Sequence, residues 1–361
     1  QLEQPATDDE QTEGADNSHT APSAPHEQDS NANTEHPEPS ETDDEQAVGD
    51  DDHHAEHSTA SDVDVDRLVP DVSSDTSRSF SGCSYDDLHL GETIDEGGFA
   101  TVQEASIDDT ATTVAVKFPK LQGTMTATVM ERFADEAEIW SQIDDEPHVV
   151  DLIDWGQSPK PWIALEYLEG GTLRHRLDET EGGLDVAEAL WIATALAETI
   201  ASVHHLGVRH LDLKPANVLF ERTDDESWDV PKIGDWGIAR RQLDDAEDDV
   251  ALSPAYAAPE QFAGADGELD HRTDIYQLGA VVYEILTGQS PTAEGAIPSE
   301  PDRSASPTPP STLRPSLPTS LDETLGTALA PQQTDRYDRA FVLRERLETA
   351  FEAAVERSSG E

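Results

Sequence analysis

Three residues in the middle of the chain have types and spacing that suit phosphoryl transfer. The stretch VRHLDLKPANVLF, residues 208–220, carries an acid at Asp212, a lysine at Lys214 and an asparagine at Asn217. Phosphoryl transfer depends mainly on positioning and on electrostatic stabilisation. The elements around this stretch must therefore hold the three side chains in place.

The segment before Gly170 reads as a small sheet with one helix. LGETI, ATVQEASI and TTVAVKF have the composition of three short strands joined by turns, and HVVDLIDWG and PWIALEYL add two more. Between them, MERFADEAEIWSQI places Met130, Phe133, Ala137 and Trp140 at helical intervals. We expect a mostly antiparallel sheet beside this helix.

Beyond Gly170 helices dominate. DVAEALWIATALAETIASVHHLG carries an apolar stripe and ends at Gly207, and DIYQLGAVVYEILTG reads as a buried helix that ends at Gly288. Two β-like pieces, NVLF and PKIGD, bracket a turn, and RAFVLRERLETAFEAAVE predicts the last helix. The Pro/Ser/Thr-rich residues 289–320 are expected to form an irregular surface connection.

The composition is strongly acidic. The chain has 78 Asp and Glu against 22 Lys and Arg, a net charge of -56. Such a charge argues against nucleic acid or an anionic membrane as a partner. The Asp/Glu-rich, Lys-poor bias resembles that of haloarchaeal proteins, in which concentrated salt screens the repulsion.

The first 80 residues differ from the rest. They contain no Lys or Arg before Arg67 and no Phe, Tyr or Trp before Phe80, and Asp, Glu, Ser, Thr and Pro dominate. We expect a disordered acidic tail over residues 1–80, because such a segment cannot bury enough apolar surface. Cys83 is the only cysteine, so no internal disulfide can form.

From about Tyr85 to Glu356 the chain resembles the eukaryotic-type (Hanks-type) serine/threonine protein kinases, whose motifs it carries in order. The resemblance implies an α+β, bilobal protein-kinase fold over residues 85–357. A small antiparallel β-sheet with one helix would form the N-lobe, residues 85–165, and a mainly α-helical C-lobe would span residues 166–357. ATP and Mg²⁺ are the implied cofactors.

The glycine-rich loop is the weakest match. Where the family has G-x-G-x-x-G-x-V, this chain reads DEGGFATV, so that Asp95 replaces the first glycine and Ala100 the last. A glycine lets the main chain approach the nucleotide phosphates, whereas Asp95 puts a carboxylate near them. The resemblance implies nucleotide contacts from Ile94, Gly97, Gly98 and Val102.

VAVK is a stronger match. On a strand, Ala115 and Lys117 face the same side, and the resemblance implies that Ala115 contacts the adenine while Lys117 reaches the α and β phosphates. Glu136 matches the family's partner for this lysine, since RFxxEAxI is the family pattern. Glu138 is the competing choice and would lie about 200° round the helix.

ALEYLEGGTL resembles the hinge between the lobes. The resemblance makes Leu165 the gatekeeper and implies that the backbone of Glu166 and Leu168 binds the adenine edge. An ordinary edge strand followed by a loop is the other interpretation of this stretch.

For the catalytic loop, the resemblance implies that Asp212 takes or orients the substrate hydroxyl and that Lys214 steadies the transferred phosphate. It implies that Asn217 and Asp235, the acid of GDWG, hold the metal, with Trp236 in place of the family's phenylalanine. Lys-Pro-x-Asn is the form typical of serine/threonine specificity.

Further matches are structural. Glu260 of the APE motif is expected to pair with Arg336, and Asp274 to brace the catalytic loop. His204 and His205 occupy the place of a packing histidine before that loop.

Leu211 stands where the family has an arginine that senses a phosphorylated activation loop. Between Asp235 and Ser253 the chain contains no threonine or tyrosine. We therefore expect an enzyme that does not require activation-loop phosphorylation. The acidic run at residues 244–249 is expected to be a solvated loop, with mimicry of a phosphate as the other interpretation.

Three functions stay open at this stage: a kinase of Ser/Thr in protein substrates, a pseudokinase that acts as a nucleotide-binding scaffold, and a kinase of a small molecule. Autophosphorylation of the tail is a further expectation. The first residues show no secretion signal, and GAVVYEILTG is too short to span a bilayer. We therefore expect a cytoplasmic protein that engages neither membrane nor nucleic acid, and the start at Gln1 is compatible with a piece of a longer chain.

Overall fold

The structure is a computed structural model, which describes residues 65–72, 82–97, 100–108, 110, 112–120, 127–224, 226–236, 253–262, 269–292 and 306–358. Gly98, the acidic run at 244–249 and most of the predicted tail lie outside these described residues.

The N-lobe is a five-stranded antiparallel sheet with one helix beside it. Its elements are β1 (Leu88–Glu96), β2 (Ala100–Ile107), β3 (Thr113–Pro119), α1 (Ala127–Trp140), β4 (Leu152–Gly156) and β5 (Trp162–Glu166). The strands lie in the order β1-β2-β3-β5-β4, and each neighbouring pair is antiparallel. The predicted sheet and helix are both confirmed.

Strand β3 shows how the alternation of side chains separates core from cleft. Val114, Val116 and Phe118 are buried in the N-lobe core. Because side chains of a strand alternate between faces, Ala115 and Lys117 point to the opposite face, where Ala115 packs against the core cluster that extends into the C-lobe. One strand thus closes the N-lobe core and presents two predicted nucleotide contacts to the cleft.

The C-lobe is mainly helical. Its elements are α2 (Leu173–Glu179), α3 (Val186–His205), β6 (Val218–Glu221), β7 (Val230–Ile233), α4 (His271–Thr287), α5 (Pro310–Leu313), α6 (Ser320–Ala328) and α7 (Ala340–Ser358). The bilobal α+β architecture is as predicted. Helix α5 is a difference, because it forms one helical turn inside the stretch 289–320 that is predicted to be irregular.

Helices α3 and α4 end where the sequence indicates, and α3 also begins there, whereas α4 begins at His271, before the predicted start at Asp274. Asp185 caps α3 by accepting hydrogen bonds from the N–H groups of Ala187 and Glu188, and α3 is followed by Gly207 at φ 82°. Gly288 ends α4 in the left-handed conformation at φ 71°. By length and composition alone, helix α3 could cross a membrane, since its most apolar stretch has a mean hydropathy of 1.4. However, 67% of this stretch is buried inside the C-lobe.

Helices α4 and α6 touch closely at a glycine. A Cβ at Gly279 would lie 2.9 Å from Ala328 Cβ. Among the described residues, a Cβ at Gly326, on α6, would have no neighbour within 4 Å beyond its own helix backbone. The first glycine is therefore needed for packing and the second is not.

A short N-terminal segment, residues 65–72, packs on the C-lobe. It contains a turn of 3₁₀ helix whose first residue, Val65, is buried, and the N–H of Trp228 donates to Leu68 O at 2.7 Å. Val69 packs against the main core. The predicted disorder of residues 1–80 is wrong for this segment, because these apolar side chains find a surface on the folded domain.

The chain next contacts the N-lobe at Cys83, whose N–H donates to Asp154 Oδ2 at 2.8 Å. Cys83 itself is buried in the N-lobe core.

Candidate active site

The three residues of the catalytic loop lie together, as their spacing indicates. Lys214 Nζ donates to Asp212 Oδ2 at 2.6 Å, and Asn217 Nδ2 donates to Asp212 O at 2.8 Å. A 3₁₀ turn over Pro215–Asn217, with proline at its start, brings the asparagine back toward the acid. Asp212 and Asn217 are both buried.

Lys117 joins the two lobes. Its Nζ lies 2.5 Å from Glu136 Oε1 on α1 and 2.6 Å from Asp235 Oδ1 after β7. Glu138, the competing partner, is exposed on α1. The structure therefore selects Glu136 and places Asp235 beside the same ammonium group.

Burial and neighbouring charge oppose one another at these groups. Burial alone would lower the pKa of Lys117, but Asp235 and Glu136 outweigh burial and raise it. Burial alone would raise the pKa of Asp235, but Lys117 outweighs it and holds the pKa below its usual value. The ion pair thus stays charged inside the cleft.

Asp212 behaves differently. Burial raises the pKa of this carboxyl group, and the nearby Lys214 opposes the rise without cancelling it. A more basic carboxylate accepts a proton more readily than an ordinary one. The environment of Asp212 therefore suits a proton acceptor.

Asp274, at the start of α4, holds the catalytic loop by its backbone. Its Oδ2 accepts from His210 N at 2.9 Å and its Oδ1 from Leu211 N at 2.7 Å. His204 Nε2 lies 2.7 Å from Oδ2. Burial alone would raise the pKa of Asp274, but the hydrogen bonds, first that of His204, lower it. The brace predicted for Asp274 and the structural placement of His204 are thus both present.

Leu211 is held by hydrogen bonds to its backbone and by an apolar contact of its side chain. Its backbone has φ 61°, a conformation unusual for a residue other than glycine. Two glutamine side chains stabilise the turn, because Gln261 Nε2 and Gln277 Nε2 donate to Leu211 O at 2.9 and 3.0 Å. The leucine side chain is buried against Leu269. The sequence reasoning did not identify these glutamines or Leu269, since their contacts span about 50 residues or more.

The predicted hinge contains an additional charged cluster. The carboxylate of Glu166 is buried and accepts from Lys232 Nζ at 2.6 Å and from Asp151 N at 2.8 Å. The N–H of Glu166 donates to Asp151 O at 3.0 Å, so an adenine edge would meet the carbonyl of Glu166. Burial raises the pKa of Glu166, against the influence of Lys232. Leu168, two residues after Glu166, is also buried. The role of Lys232 was not predicted from the sequence.

The predicted nucleotide contacts of the N-lobe line one side of the cleft. Val102 lies opposite Lys117 in the β2–β3 pairing, and Ala115 lies opposite Leu165 in the β3–β5 pairing. Ile94 on β1 is 44% exposed, which is high for an isoleucine. An apolar ligand face would cover this side chain.

The glycine-rich loop is described at its two ends. Gly97 N donates to Ala100 O at 3.0 Å, which joins the two ends. The Asp95 carboxylate accepts from the adjacent Glu96 N at 2.8 Å. Gly98 lies outside the described residues.

Two ion pairs fix the region beyond the site. Arg336 donates from Nη1 and Nη2 to both oxygens of Glu260, at 2.7 and 2.8 Å, as predicted. Glu284 on α4 accepts from Tyr256 Oη at 2.6 Å and from Arg174 Nη1 at 2.8 Å. These contacts hold the loop around Tyr256 against the helices.

The donor set fits Mg²⁺ and a polyphosphate. Mg²⁺ prefers oxygen ligands and is commonly held by one or two protein groups plus substrate phosphates. Asn217 uses its Nδ2 within the loop, so its Oδ1 is the atom that would bind a metal together with the Asp235 carboxylate. Among the described residues no group of three or more His, Cys, Asp and Glu is placed to hold a metal ion.

Comparison with known proteins identifies relatives of similar sequence. The serine/threonine-protein kinase PknH of Mycobacterium bovis is 32% identical over 273 residues, which are 74% of this chain and 44% of that protein. The serine/threonine-protein kinase PknB of Mycobacterium tuberculosis is 31% identical over 272 residues, which are 72% of this chain and 42% of that protein. The chain thus spans less than half the length of these relatives.

Solved structures show the same fold. The PknI kinase domain of Mycobacterium tuberculosis has a TM-score of 0.58 at 25% identity, and the match covers 75% of this chain and 98% of that domain. A double mutant of that domain has a TM-score of 0.59 at 24% identity. The family profile described as "Protein kinase domain" matches residues 88–311. Since this match exceeds half of the 361 residues, the chain belongs to the protein kinase family.

Proposed function

We propose that this chain transfers the γ-phosphate of ATP, with Mg²⁺, to Ser and Thr hydroxyls of proteins. The observation that carries the proposal is that Lys117 contacts Glu136 and Asp235 together. This contact aligns helix α1, strand β3 and the metal-holding carboxylate, which must all be in place for transfer by a protein kinase.

When bound, Mg²⁺ and ATP would supply the phosphoryl group and the cation that offsets its charge. Asp212 accepts the proton of the substrate hydroxyl, whose oxygen bonds to the γ-phosphorus while the bond from that phosphorus to the β–γ bridging oxygen breaks and ADP leaves. Lys214, 2.6 Å from Asp212, stabilises the negative charge of the transferred group. Lys117 holds the α and β phosphates.

Two features support protein Ser/Thr as the substrate class. Lys214, Pro215 and Asn217 keep the Lys-Pro-x-Asn form, and the substrate loop from Ser253 to Glu260 is held by Glu284 and Arg336. The curated relatives are named as serine/threonine-protein kinases. A metabolite would not need this loop.

The test is transfer from labelled ATP to a generic protein and to the chain itself, with Mg²⁺ and multi-molar KCl. We expect Asp212→Asn to abolish transfer while nucleotide binding persists. Asp108→Asn is the matched control, because this exposed acid at the end of β2 contacts His89 outside the cleft. Absence of transfer by the unmodified chain to every substrate tried would contradict the proposal.

We also propose that transfer does not require phosphorylation of the activation loop. Leu211 carries no charge that a phosphate could neutralise, and Leu269 covers its side chain. Treatment with a phosphatase, verified by mass spectrometry, should leave the transfer rate unchanged. A rate that fell with loss of phosphate would show that another group senses it.

A nucleotide-binding scaffold is the second candidate function. Asp95 favours it, since a carboxylate at the first glycine position repels a polyphosphate. Replacing Asp95 with glycine should tighten ATP binding in either case. Only the scaffold function predicts that the unmodified chain and Asp95→Gly both bind nucleotide and that neither of them transfers phosphate.

Tail autophosphorylation is part of the proposed activity. A tethered segment sees a high effective concentration of its own active site. Phosphosite mapping after incubation with ATP should find modified Ser or Thr before residue 65, and an unmodified tail in an active protein would contradict this.

A further inference from the structure

The backbone on both sides of Asp212 is held by one glutamine of helix α4. Gln277 Oε1 accepts from Leu213 N at 3.0 Å, and Gln277 Nε2 donates to Leu211 O at 3.0 Å. Gln277 is buried, with 1% exposure, and both leucines are buried too. A shift of the catalytic loop would therefore leave a buried amide group without partners, which is costly.

A second glutamine ties the same turn to the substrate loop. Gln261 directly follows Glu260, and its Nε2 donates to Leu211 O at 2.9 Å. Its Oε1 accepts from Ala258 N at 2.8 Å and from Gln277 Nε2 at 3.0 Å. The catalytic loop, the substrate loop and helix α4 thus meet in one network of side-chain amides.

The main chain fixes the orientation of each side-chain amide. A backbone N–H can only donate, and a carbonyl oxygen can only accept. Leu213 N faces the oxygen atom of Gln277, and Leu211 O faces its nitrogen atom. Ala258 N faces the oxygen atom of Gln261, and Leu211 O again faces the nitrogen atom. Since a carbonyl oxygen has two lone pairs, all these bonds can form together.

The network acts on a turn that needs support. Leu211 has φ 61°, a left-handed conformation that a residue other than glycine keeps only when its surroundings hold it. Asp274, three residues before Gln277 and on the same face of α4, accepts from Leu211 N at 2.7 Å. Both the N–H and the carbonyl group of Leu211 are therefore bound by side chains of one helix.

Each bond between the glutamines and the two loops joins uncharged groups. Mobile ions screen interactions between charges, and the Debye length is only about 3 Å at 1 M salt. An exposed contact between an arginine and a phosphate would weaken in the concentrated salt that the composition favours. Neutral hydrogen bonds within the folded domain are not subject to this screening.

We propose that Gln261 and Gln277 form a glutamine clamp, a pair of positioning residues that fix the catalytic loop against the substrate loop and α4. The clamp directs Asp212 toward the substrate hydroxyl, so the inference rests on the proposed function. Its neutral hydrogen bonds replace an ionic contact with a phosphate. This role accords with leucine at position 211.

The first test compares transfer with nucleotide binding in Gln277→Met. Methionine is similar in size to glutamine but donates no hydrogen bond and is only a weak acceptor. We expect kcat to fall by about 10-fold or more, because Leu211 O and Leu213 N lose a partner. The dissociation constant of a non-hydrolysable ATP analogue should change by less than about twofold, since the loss falls on the transfer step. An unchanged kcat, or equal losses in kcat and binding, would overturn the proposal.

The second test asks whether the two glutamines act together. Gln261→Met should lower kcat by about 5-fold or more. The double variant should lose less than the product of the two single losses, because both residues belong to one network. Losses that multiply would show that the glutamines act separately and would overturn the clamp.

Thr287→Val is the matched control for both tests. Thr287 is a buried polar residue of the same helix, and its Oγ1 donates to Tyr283 O at 2.7 Å, away from the catalytic loop. This substitution should lower stability and leave kcat unchanged. A comparable loss of kcat would indicate general destabilisation and overturn the proposal.

A third test reads the clamp without transfer. In Gln277→Met, amide hydrogen exchange should become faster in peptides that cover residues 208–214 and 256–262, but not in peptides of strand β3. The ratio of variant to unmodified exchange rates should be the same at about 1 M and about 4 M KCl, because neutral bonds are not screened. Unchanged exchange, or a ratio that shrinks as KCl rises, would overturn the clamp. Faster local exchange in a chain that never transfers phosphate would contradict the proposed function alone and still support the clamp.

Discussion

Asp212 and Asp274 are two buried carboxyl groups whose pKa values move in opposite directions. Burial raises the pKa of Asp212 above the usual 3.8. Hydrogen bonds from His204 and Leu211 help to lower that of Asp274 below 3.8, against burial. The group proposed to accept the proton and the group that braces its loop therefore respond to different ranges of pH.

Activity should be lost on acidification before the brace fails. Asp212 accepts a proton only when ionised, so kcat/KM should fall as the pH drops through its raised pKa, above 3.8. Asp274 has a depressed pKa in the folded state, so its contribution to stability is complete above 3.8 and is lost only as the pH falls through that lower value.

Transfer rates and circular dichroism recorded over the same pH series would check this order. Asp108→Asn should behave as the unmodified chain. Coincident loss of activity and of folded signal would mean that unfolding, and not Asp212, sets the acid limit.

The residues of the candidate site could be predicted from the sequence. Some of the partners that hold them in place could not. Asp212, Lys214 and Asn217 are close in the chain, so their spacing alone indicates a shared loop. Lys232 and Gln277 act through folded contacts with Glu166 and Leu211, which lie 66 residues away in each case. Their local sequence carries no signal of such a pairing.

At the scale of elements, the packing of helix α4 against helix α6 depends on a glycine. Gly279 lets α4 approach α6 so closely that an added Cβ would lie 2.9 Å from Ala328 Cβ. Glycine in a helix interior is otherwise unfavourable. The close packing of these two helices supports α4, which carries Asp274.

Gly279→Ala should destabilise the fold by about 1–3 kcal/mol, the usual cost of overpacking. Gly326→Ala is the matched control, because its added Cβ on α6 would contact none of the described residues within 4 Å beyond its own helix backbone. It should stabilise by about 0.5–1 kcal/mol, the difference in helix propensity between alanine and glycine. Denaturant unfolding of both variants would measure these changes, and effects of the same sign would contradict the packing argument.

The periodic pattern of apolar residues predicted most of the elements, since buried and less buried side chains alternate along β3 and apolar side chains form a buried stripe on α3. It did not predict α2 or α6, and it missed α5 because proline and serine at Pro310 and Ser311 are typical of irregular structure. Ser311 there donates from its N–H and Oγ to the Asp322 carboxylate, at 2.9 and 2.6 Å. This tertiary contact with α6 stabilises a helical turn that local propensity does not favour.

At the scale of the whole molecule, charge is the dominant feature. A net charge of -56 on 361 residues makes the compact state repel itself in dilute salt. The Debye length shortens from about 10 Å at 0.1 M to about 3 Å at 1 M salt. Stability should therefore depend on ionic strength more than on any single contact.

Raising KCl from millimolar to multi-molar concentration should increase both the circular-dichroism signal and the melting temperature. Screening is the physical reason, so an uncharged osmolyte at equal water activity should not replace the salt. A folded signal that declined with KCl would contradict the halophilic interpretation.

The match to the family profile begins at residue 88, whereas the packed polypeptide already includes Val65. Cutting the chain at the border of similarity would uncover the apolar surface under Val65 and Val69 and leave Trp228 N without Leu68 O. It would also remove Cys83 from the N-lobe core. The unit that folds thus begins before the stretch that the family profile matches, and a domain cut at residue 88 would expose apolar surface on each lobe.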